Sequence, residues 1–303
     1  MRNKPQKQIK PKRIRHSTLM ENVHGYIFVL PYVIGLAVFF LFPLFFSLQI
    51  SFGEYAVARG GYRIVPVGFL NYINAFIKEV NFTQVFAQTV ADTFTNTPLI
   101  VVFSLILAVM LNRKMMFKGL FRTIFFLPFL LGSGYVMRQL LGMDVSSQAM
   151  TMARSIILPP QVQWYIGSQA TEIAMRFLDR ITLLLWRSGV PIVLFLSGLQ
   201  NIPISLYEAA MVDGTTEWEK FWKITVPMIS PVMLLVMVYT VIDSFSDQSN
   251  PMVEMFYQRA FIRLDYSMSA AMSWVYFIFI LLVVGLIFLV MRRFIYNEHD
   301  KRA

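Results

Sequence analysis

Apolar positions in this chain gather in long uncharged blocks, not at the 3.6-residue spacing of a surface helix. Tyr26 to Ile50 and Tyr266 to Met291 contain no Asp, Glu, Lys or Arg. About 20 apolar residues, coiled as a helix, cross the hydrocarbon of a bilayer. Four further blocks run from about Thr93 to Leu111, Thr123 to Leu141, Ile181 to Leu199 and Val226 to Phe245. The pattern predicts an all-α integral membrane protein with six transmembrane helices. The first block is too long for the apolar core of a cleaved signal peptide, so it reads as a span. Arg138 lies near the end of the third block, Arg187 interrupts the fourth, and Asp243 lies late in the fifth. Two intervening segments, about 51 to 92 and 143 to 180, are amphipathic. In the second, Ile173, Phe177 and Leu178 at helical spacing predict a surface helix leading into the fourth span. The expected division is a basic tail over 1–25, a transmembrane domain over 26–292 containing a polar loop at about 201–227, and a short tail over 293–303.

The polar loop has the most internal structure. Ser205 and Glu208 match a capping box, in which the serine oxygen accepts from a first-turn N–H and the glutamate reaches back. Asp213-Gly214 is a helix stop, because glycine takes the left-handed conformation without steric cost. Asp213 either accepts a bond that fixes the turn or is simply solvated. Thr216 and Glu219 repeat the capping pattern, and Pro227 is expected to open the next membrane segment. Two short helices around a glycine turn make a compact docking surface.

Composition narrows the classes. Hydrophobic residues make up 56% of the chain, far above a soluble domain. There is no cysteine, which excludes a disulfide framework and a thiol metal site. The three histidines, His16, His24 and His299, lie near the ends, so no histidine-based catalytic or zinc centre is expected. A net charge of +10 could suit nucleic acid, but most of the 27 Lys and Arg flank the apolar blocks. They gather in the N-terminal tail, at Arg113, Lys114, Lys118 and Arg122, at Lys220 and Lys223, and at the C-terminus. By the positive-inside bias both termini and the Glu208 loop are cytoplasmic. The bilayer is then the expected partner of the basic tail, through anionic lipid, and no nucleic acid is expected.

Charges within a span cost about 2.5–3.5 kcal/mol on insertion scales and usually face protein or water. Arg187 and Asp243 sit at depths compatible with an ion pair or a shared polar cavity, or with interfacial positions. The end of the fifth block is polar, from Asp243 to Asn250, and includes Phe245 and Gln248. Trp186, Trp274 and Tyr276 lie on neighbouring blocks. Polar groups that bind hydroxyls beside an aromatic face suit a sugar path. An interfacial aromatic belt would use the same residue types.

Glu208-Ala209-Ala210, Asp213-Gly214, Ile224 and Pro227 resemble the EAA loop of ABC importer permeases. Gly198 to Pro203, Phe121 to Pro128 and Val67 to Tyr72 resemble signatures of the carbohydrate branch, similar to the maltose-type and glycerol-phosphate-type permeases. The likeness covers about residues 25 to 295, with a mild departure at Thr215, where that family often has alanine. It implies an ABC type I importer transmembrane domain in a bacterial or archaeal cytoplasmic membrane. In that family the glutamate matching Glu208 anchors the coupling helix in the ATPase; Ala209, Ala210, Asp213 and Gly214 complete the loop. The chain has no G-x-x-x-x-G-K-[ST] loop. It is therefore expected to be non-catalytic and without a cofactor of its own, ATP and Mg being held by a separate ATPase. Implied partners are a second homologous permease, two ATPase subunits and an extracytoplasmic solute-binding protein. A permease for a non-sugar solute is the nearest alternative. An ion-driven secondary transporter could use Asp243 and Arg187, yet the sequence shows no internal repeat. No cluster of nucleophile, base and metal ligand supports a membrane enzyme.

Overall fold

The computed structural model describes residues 17–58, 61–112, 119, 123, 165, 167–247 and 250–294. The third apolar block, most of the basic turn before it, Phe121 to Pro128 apart from Thr123, Gln248, and most of both tails lie outside the described residues. The chain divides into two compact units, one of residues 1–75 with 259–274, the other of 76–258 with 275–303.

In the first unit, helix α1 (Ser17–Leu36) runs through a π-helical turn, Ala37–Leu41, into α2 (Phe42–Ser51). Pro43 explains the turn. Proline lacks an N–H and its ring clashes with the carbonyl four residues back, so one widened turn relieves the contact. A hairpin follows, β1 (Gly53–Ala58) with β2 (Gly61–Pro66), antiparallel and pairing Tyr55 with Ile64. The amphipathic pattern expected over this segment thus resolves first into strands. Gly53 is needed there, since a Cβ would come within 2.4 Å of Ile64 Cγ2. After the hairpin comes α3 (Leu70–Ile77). Asn71 donates to the carbonyls of Ser51 and Gly53 at 3.0 and 2.9 Å, satisfying the end of α2. The Tyr55 N–H donates to Ser267 Oγ at 2.8 Å, and the Tyr55 ring stacks on Tyr62.

The second unit is built on α4 (Val80–Asn112), which extends the expected second span at its start. Against it pack α5 (Ser168–Arg187), α6 (Gly189–Gln200) and α10 (Ser230–Ser246). The intervening loop contains α7 (Ile204–Val212), α8 (Glu217–Lys220), a π-helical turn Phe221–Thr225, and α9 (Val226–Met228). Beyond α10 lies α11 (Pro251–Tyr257); α12 (Tyr266–Met291), whose bounds are those expected for the sixth span, has residues 266–274 in the first unit and the rest in the second. The core joins Val101, Leu105 and Ala108 of α4, Ile192, Phe195 and Leu199 of α6, and Val236 of α10. At Gly198 a Cβ would lie 2.8 Å from Val232 Cγ2, so glycine lets α6 and α10 approach closely. Thr89, Thr93, Thr97 and Ser104 form a buried polar stripe on α4.

Two expected spans are bent. The fourth breaks by 54° between α5 and α6 at Ser188, and the fifth by 68° between α9 and α10. Pro191 removes the N–H that would bond Arg187, and Pro231 the one that would bond Pro227; lost helix bonds of this kind let a helix kink. At the second break Ser230 Oγ compensates by donating to the Pro227 carbonyl at 2.7 Å. The apolar helix therefore starts at Ser230, not at Val226, and Pro227 lies before the bend. Among the described residues three helices are long and apolar enough to cross a membrane, or five if each bent pair is one span.

Candidate coupling loop and intramembrane polar cluster

Helix α7 starts directly after Pro203, whose extended ψ of 128° makes it the N-cap. Ser205 is therefore already inside the first turn and cannot act as a cap. The expected Ser205–Glu208 capping box does not form. Glu208 stays exposed, and its carboxylate makes no hydrogen bond among the described residues. The other expected features are present. At the end of α7 the Gly214 N–H donates to the Met211 carbonyl and the Thr215 N–H to the Ala210 carbonyl, each at 3.1 Å. That pair of bonds is a Schellman ending, and it requires the φ of +71° that Gly214 adopts. Thr215 Oγ1 adds a second bond to the Ala210 carbonyl at 2.6 Å. Asp213 is an exposed residue at the helix end.

Thr216 and Glu219 form the expected box: the Glu219 N–H donates to Thr216 Oγ1 at 3.3 Å, and the Thr216 N–H donates to Glu219 Oε2 at 3.0 Å. The Thr216 backbone bond, then Lys223 at 3.1 Å, hold the Glu219 carboxyl below its ordinary pKa. Lys220 is buried and pairs with Glu217. Underneath, Ile202, Tyr207 and Phe221 reach the core, Ala210 is buried, and Ala209 faces outward. Outside, Met211, Val212, Trp218 and Trp222 are exposed, Val212 by 89% and Trp218 by 70%. The loop thus satisfies its own backbone and presents an apolar surface beside a spare carboxylate.

At the other end of α10, Arg187 donates to Ser244 Oγ and to Asp247 Oδ2, both at 2.8 Å. The pair is mostly sheltered, with side-chain exposures of 15% and 33%. Asp247, one turn beyond Asp243, is therefore the ion partner of Arg187, which corrects the Arg187–Asp243 alternative. Asp243 lies half-buried on the same helix stripe, and Tyr239 precedes it by a turn. Thr93 Oγ1 meets Ser244 Oγ at 3.4 Å. Phe245 and Tyr276 are buried against each other, edge to face, with centroids 5.4 Å apart. Tyr276 Oη donates to the Phe245 carbonyl at 3.1 Å and accepts from Asn250 Nδ2 at 3.1 Å. These two rings are interior packing in this subunit. Trp186 is half-buried at the end of α5; Trp274 is half-buried and falls in the first unit. Among the described residues no group of three His, Cys, Asp or Glu could hold a metal.

A family model for the inner membrane component of binding-protein-dependent transport systems matches residues 64–297. The chain belongs to that family. It is 30% identical over 291 residues to the probable ABC transporter permease YesP of Bacillus subtilis, covering 89% of this chain and 90% of that one. It is 31% identical to the arabinooligosaccharide permease AraP of Bacillus subtilis (73% of this chain, 68% of that one) and 31% identical to the lactose permease LacF of Rhizobium radiobacter (70% of each). Among solved structures, a bacterial ABC transporter that imports alginate matches with a TM-score of 0.63 at 18% identity, over 91% of this chain and 98% of that one. That likeness shows the fold, and the family together with the apolar helices makes the chain a multi-pass membrane permease.

Within this permease, the sequence located the loop and the polar end of the fifth block. It did not single out Asp247 as the partner of Arg187, nor Tyr239, nor the bond between Tyr207 and Thr225. The repeat of Tyr239, Asp243 and Asp247 every four residues was the available signal, since such positions share a helix face.

Proposed function

We propose that this chain is the permease subunit of an ATP-driven, binding-protein-dependent importer of sugars or oligosaccharides. The observation that carries the reading is the self-satisfied loop of α7 and α8, with Glu208 and its apolar neighbours exposed and Glu208 without a hydrogen bond among the described residues. A short helix with exposed anchors fits a groove on a partner. On this reading the groove belongs to one of two ATPase subunits, which hold ATP and Mg, and Glu208, Ala209, Ala210, Asp213 and Gly214 form the docking element. A second homologous permease completes the pathway. A solute-binding protein delivers sugar from outside, as in the solved alginate transporter complexed with its pentasaccharide-bound periplasmic protein. The named relatives for arabinooligosaccharides and lactose support sugar over other solutes. ATP-driven closure of the ATPases moves the loop, and the cavity switches between outward and inward access as packed helices rock. Arg187, Asp243 and Asp247 are the polar groups offered to the solute path. Trp186 and Gln248 are further candidate contacts, with Phe245 and Tyr276 as packing beside the path, and Trp274, in the first unit, is a separate candidate. Both termini and the loop face the cytoplasm of a bacterial or archaeal cell.

The test is Glu208→Ala. Among the described residues its carboxylate makes no hydrogen bond, so thermal stability and membrane insertion should be unchanged. The amount of ATPase that co-purifies should fall, and ATP-dependent uptake of radiolabelled arabinooligosaccharide or lactose should be lost. Full ATPase recovery with normal uptake would remove the docking role.

A further inference from the structure

The two halves of the loop are joined by a bond that neither helix needs for itself. Tyr207 Oη lies 2.9 Å from Thr225 Oγ1, linking the middle of α7 to the last residue of the π-helical turn. Thr225 is buried and Tyr207 half-buried, so the pair is sheltered from competing water. A hydroxyl has one proton. Either hydroxyl can donate in the Tyr207–Thr225 bond, and Thr225 Oγ1 also lies 3.4 Å from the Lys220 carbonyl. Thr225 Oγ1 is thus a junction of three elements: α7 through Tyr207, α8 through Lys220, and α9 through its own backbone.

The setting gives the junction a mechanical meaning. The π-helical turn Phe221–Thr225 stands two residues before Pro227, as Ala37–Leu41 stands two residues before Pro43. A π turn closes i→i+5 hydrogen bonds, is rare inside α-helices and is often found at functional sites. Between α7 and α10 the backbone therefore runs through a glycine turn, a π turn and the bend at Ile229. Each of these could absorb motion. The bend is closed by Ser230 Oγ on the Pro227 carbonyl and by Ile229, which is fully buried. The π turn is closed across space by Tyr207 and Thr225.

Resting on the docking role proposed above, we infer that Tyr207 and Thr225 are positioning residues for coupling. Their hydroxyl bond locks α7 to the base of α10, so that a push on the docking helix turns α10 instead of flexing the π turn. Without the bond, α7 still docks but its movement is dissipated before it reaches the span.

The chain has no cysteine of its own, which permits labels at chosen sites. Leu206 on α7 and Leu235 on α10 are both exposed, and Leu206 is not among the docking residues. Leu206→Cys and Leu235→Cys, spin-labelled in the assembled complex with cysteine-free partners, report the distance between the two helices. The expected result is one narrow distance, kept between the nucleotide-free and the ATP–vanadate-trapped complex. Tyr207→Phe or Thr225→Val should turn it into a broad or nucleotide-dependent distribution, with ATPase co-purification kept. Thr225→Ser, which keeps the hydroxyl, should restore the narrow distance; a purely steric role for the Thr225 methyl would not allow that. A narrow, unchanged distance in Tyr207→Phe would overturn the inference. So would loss of the ATPase from Tyr207→Phe, since the bond would then only shape the docking surface. Failure of the docking reading itself shows elsewhere, as retention of the ATPase by Glu208→Ala.

Discussion

The two ends of α10 handle polarity in opposite ways. At the loop end, backbone groups are satisfied locally by the Gly214 ending and the Thr216–Glu219 box, and several apolar and acidic side chains are left outward. At the far end, charges and aromatic rings turn inward: Arg187 is neutralised by Asp247, and Tyr276 is bonded on both its donor and acceptor sides. An element that is complete in its backbone but unused at its surface suits a partner that comes and goes. An element whose polar groups are consumed within the chain suits a fixed shape in a medium that cannot hydrate them. The difference leaves the loop end open to a partner and gives the far end a set shape, within which Asp243 stays half-buried.

The harshest way to break the loop end is Gly214→Pro. Proline fixes φ near −65°, whereas the native φ is +71°, and it deletes the N–H that bonds Met211. The cost should reach about 3 kcal/mol or more. Uptake and ATPase co-purification should both vanish while α10 and α12 still insert, as judged by protease protection. Retained uptake would mean that the turn can form another way.

At the far end, the comparison is broken by removing one member of the ion pair. Arg187→Gln or Asp247→Asn removes one member of the pair, and losses for buried pairs are about 3–5 kcal/mol, with this partly exposed pair toward the low side. The double variant should recover part of the thermal stability in detergent. Arg187→Gln combined with Asp243→Asn should recover less, because the direct bond of Arg187 is to Asp247. Equal recovery in both doubles would dissolve the specific Arg187–Asp247 pairing.

A gentler cut is Tyr276→Phe, which keeps the ring against Phe245 and deletes one hydroxyl. It leaves the Phe245 carbonyl and Asn250 Nδ2 short of a partner, worth about 1–3 kcal/mol. The thermal midpoint should drop, and uptake should fall only in proportion to the amount of assembled complex. A fall in uptake per complex would place Tyr276 in the solute path after all.

What the sequence made legible follows the same division. The span over Tyr266–Met291 could be read to the residue because lipid tolerates no charge over its length. The glycine ending and the Thr216 box could be read because each depends on a few neighbours in sequence. The Ser205 box was misplaced because Pro203 took the cap two residues earlier. The bends at Ser188 and Ile229 escaped because the proline that frees a carbonyl, Pro191 or Pro231, stands beyond the break and not at it. The hairpin at Gly53–Pro66 escaped because Gly53, Glu54 and Tyr55 carry no clean alternation. The partner of Arg187 could not be chosen from sequence either: Asp243 and Asp247 share a helix stripe, and only the reach of the Arg187 side chain, bonded to Ser244 and Asp247, selects the second.

The smallest expected effect sharpens the loop end instead of breaking it. Thr216→Ala should remove the cap of α8 at a cost of about 1 kcal/mol. Glu219→Gln should cost less at neutral pH, since glutamine also completes a capping box. The two versions of residue 219 differ in pH dependence. The Glu219 pKa is lowered on folding, so ionised Glu219 adds stability above its unfolded value, near 4.5. That addition is lost as pH falls through the lower folded value, and glutamine has none to lose. Thermal midpoints of the purified chain, taken for both versions from pH 6 downward, should keep a constant gap above pH 4.5 and close it below. A gap that stays constant through the acid range would show that Lys223 and the Thr216 amide do not hold the carboxylate in solution.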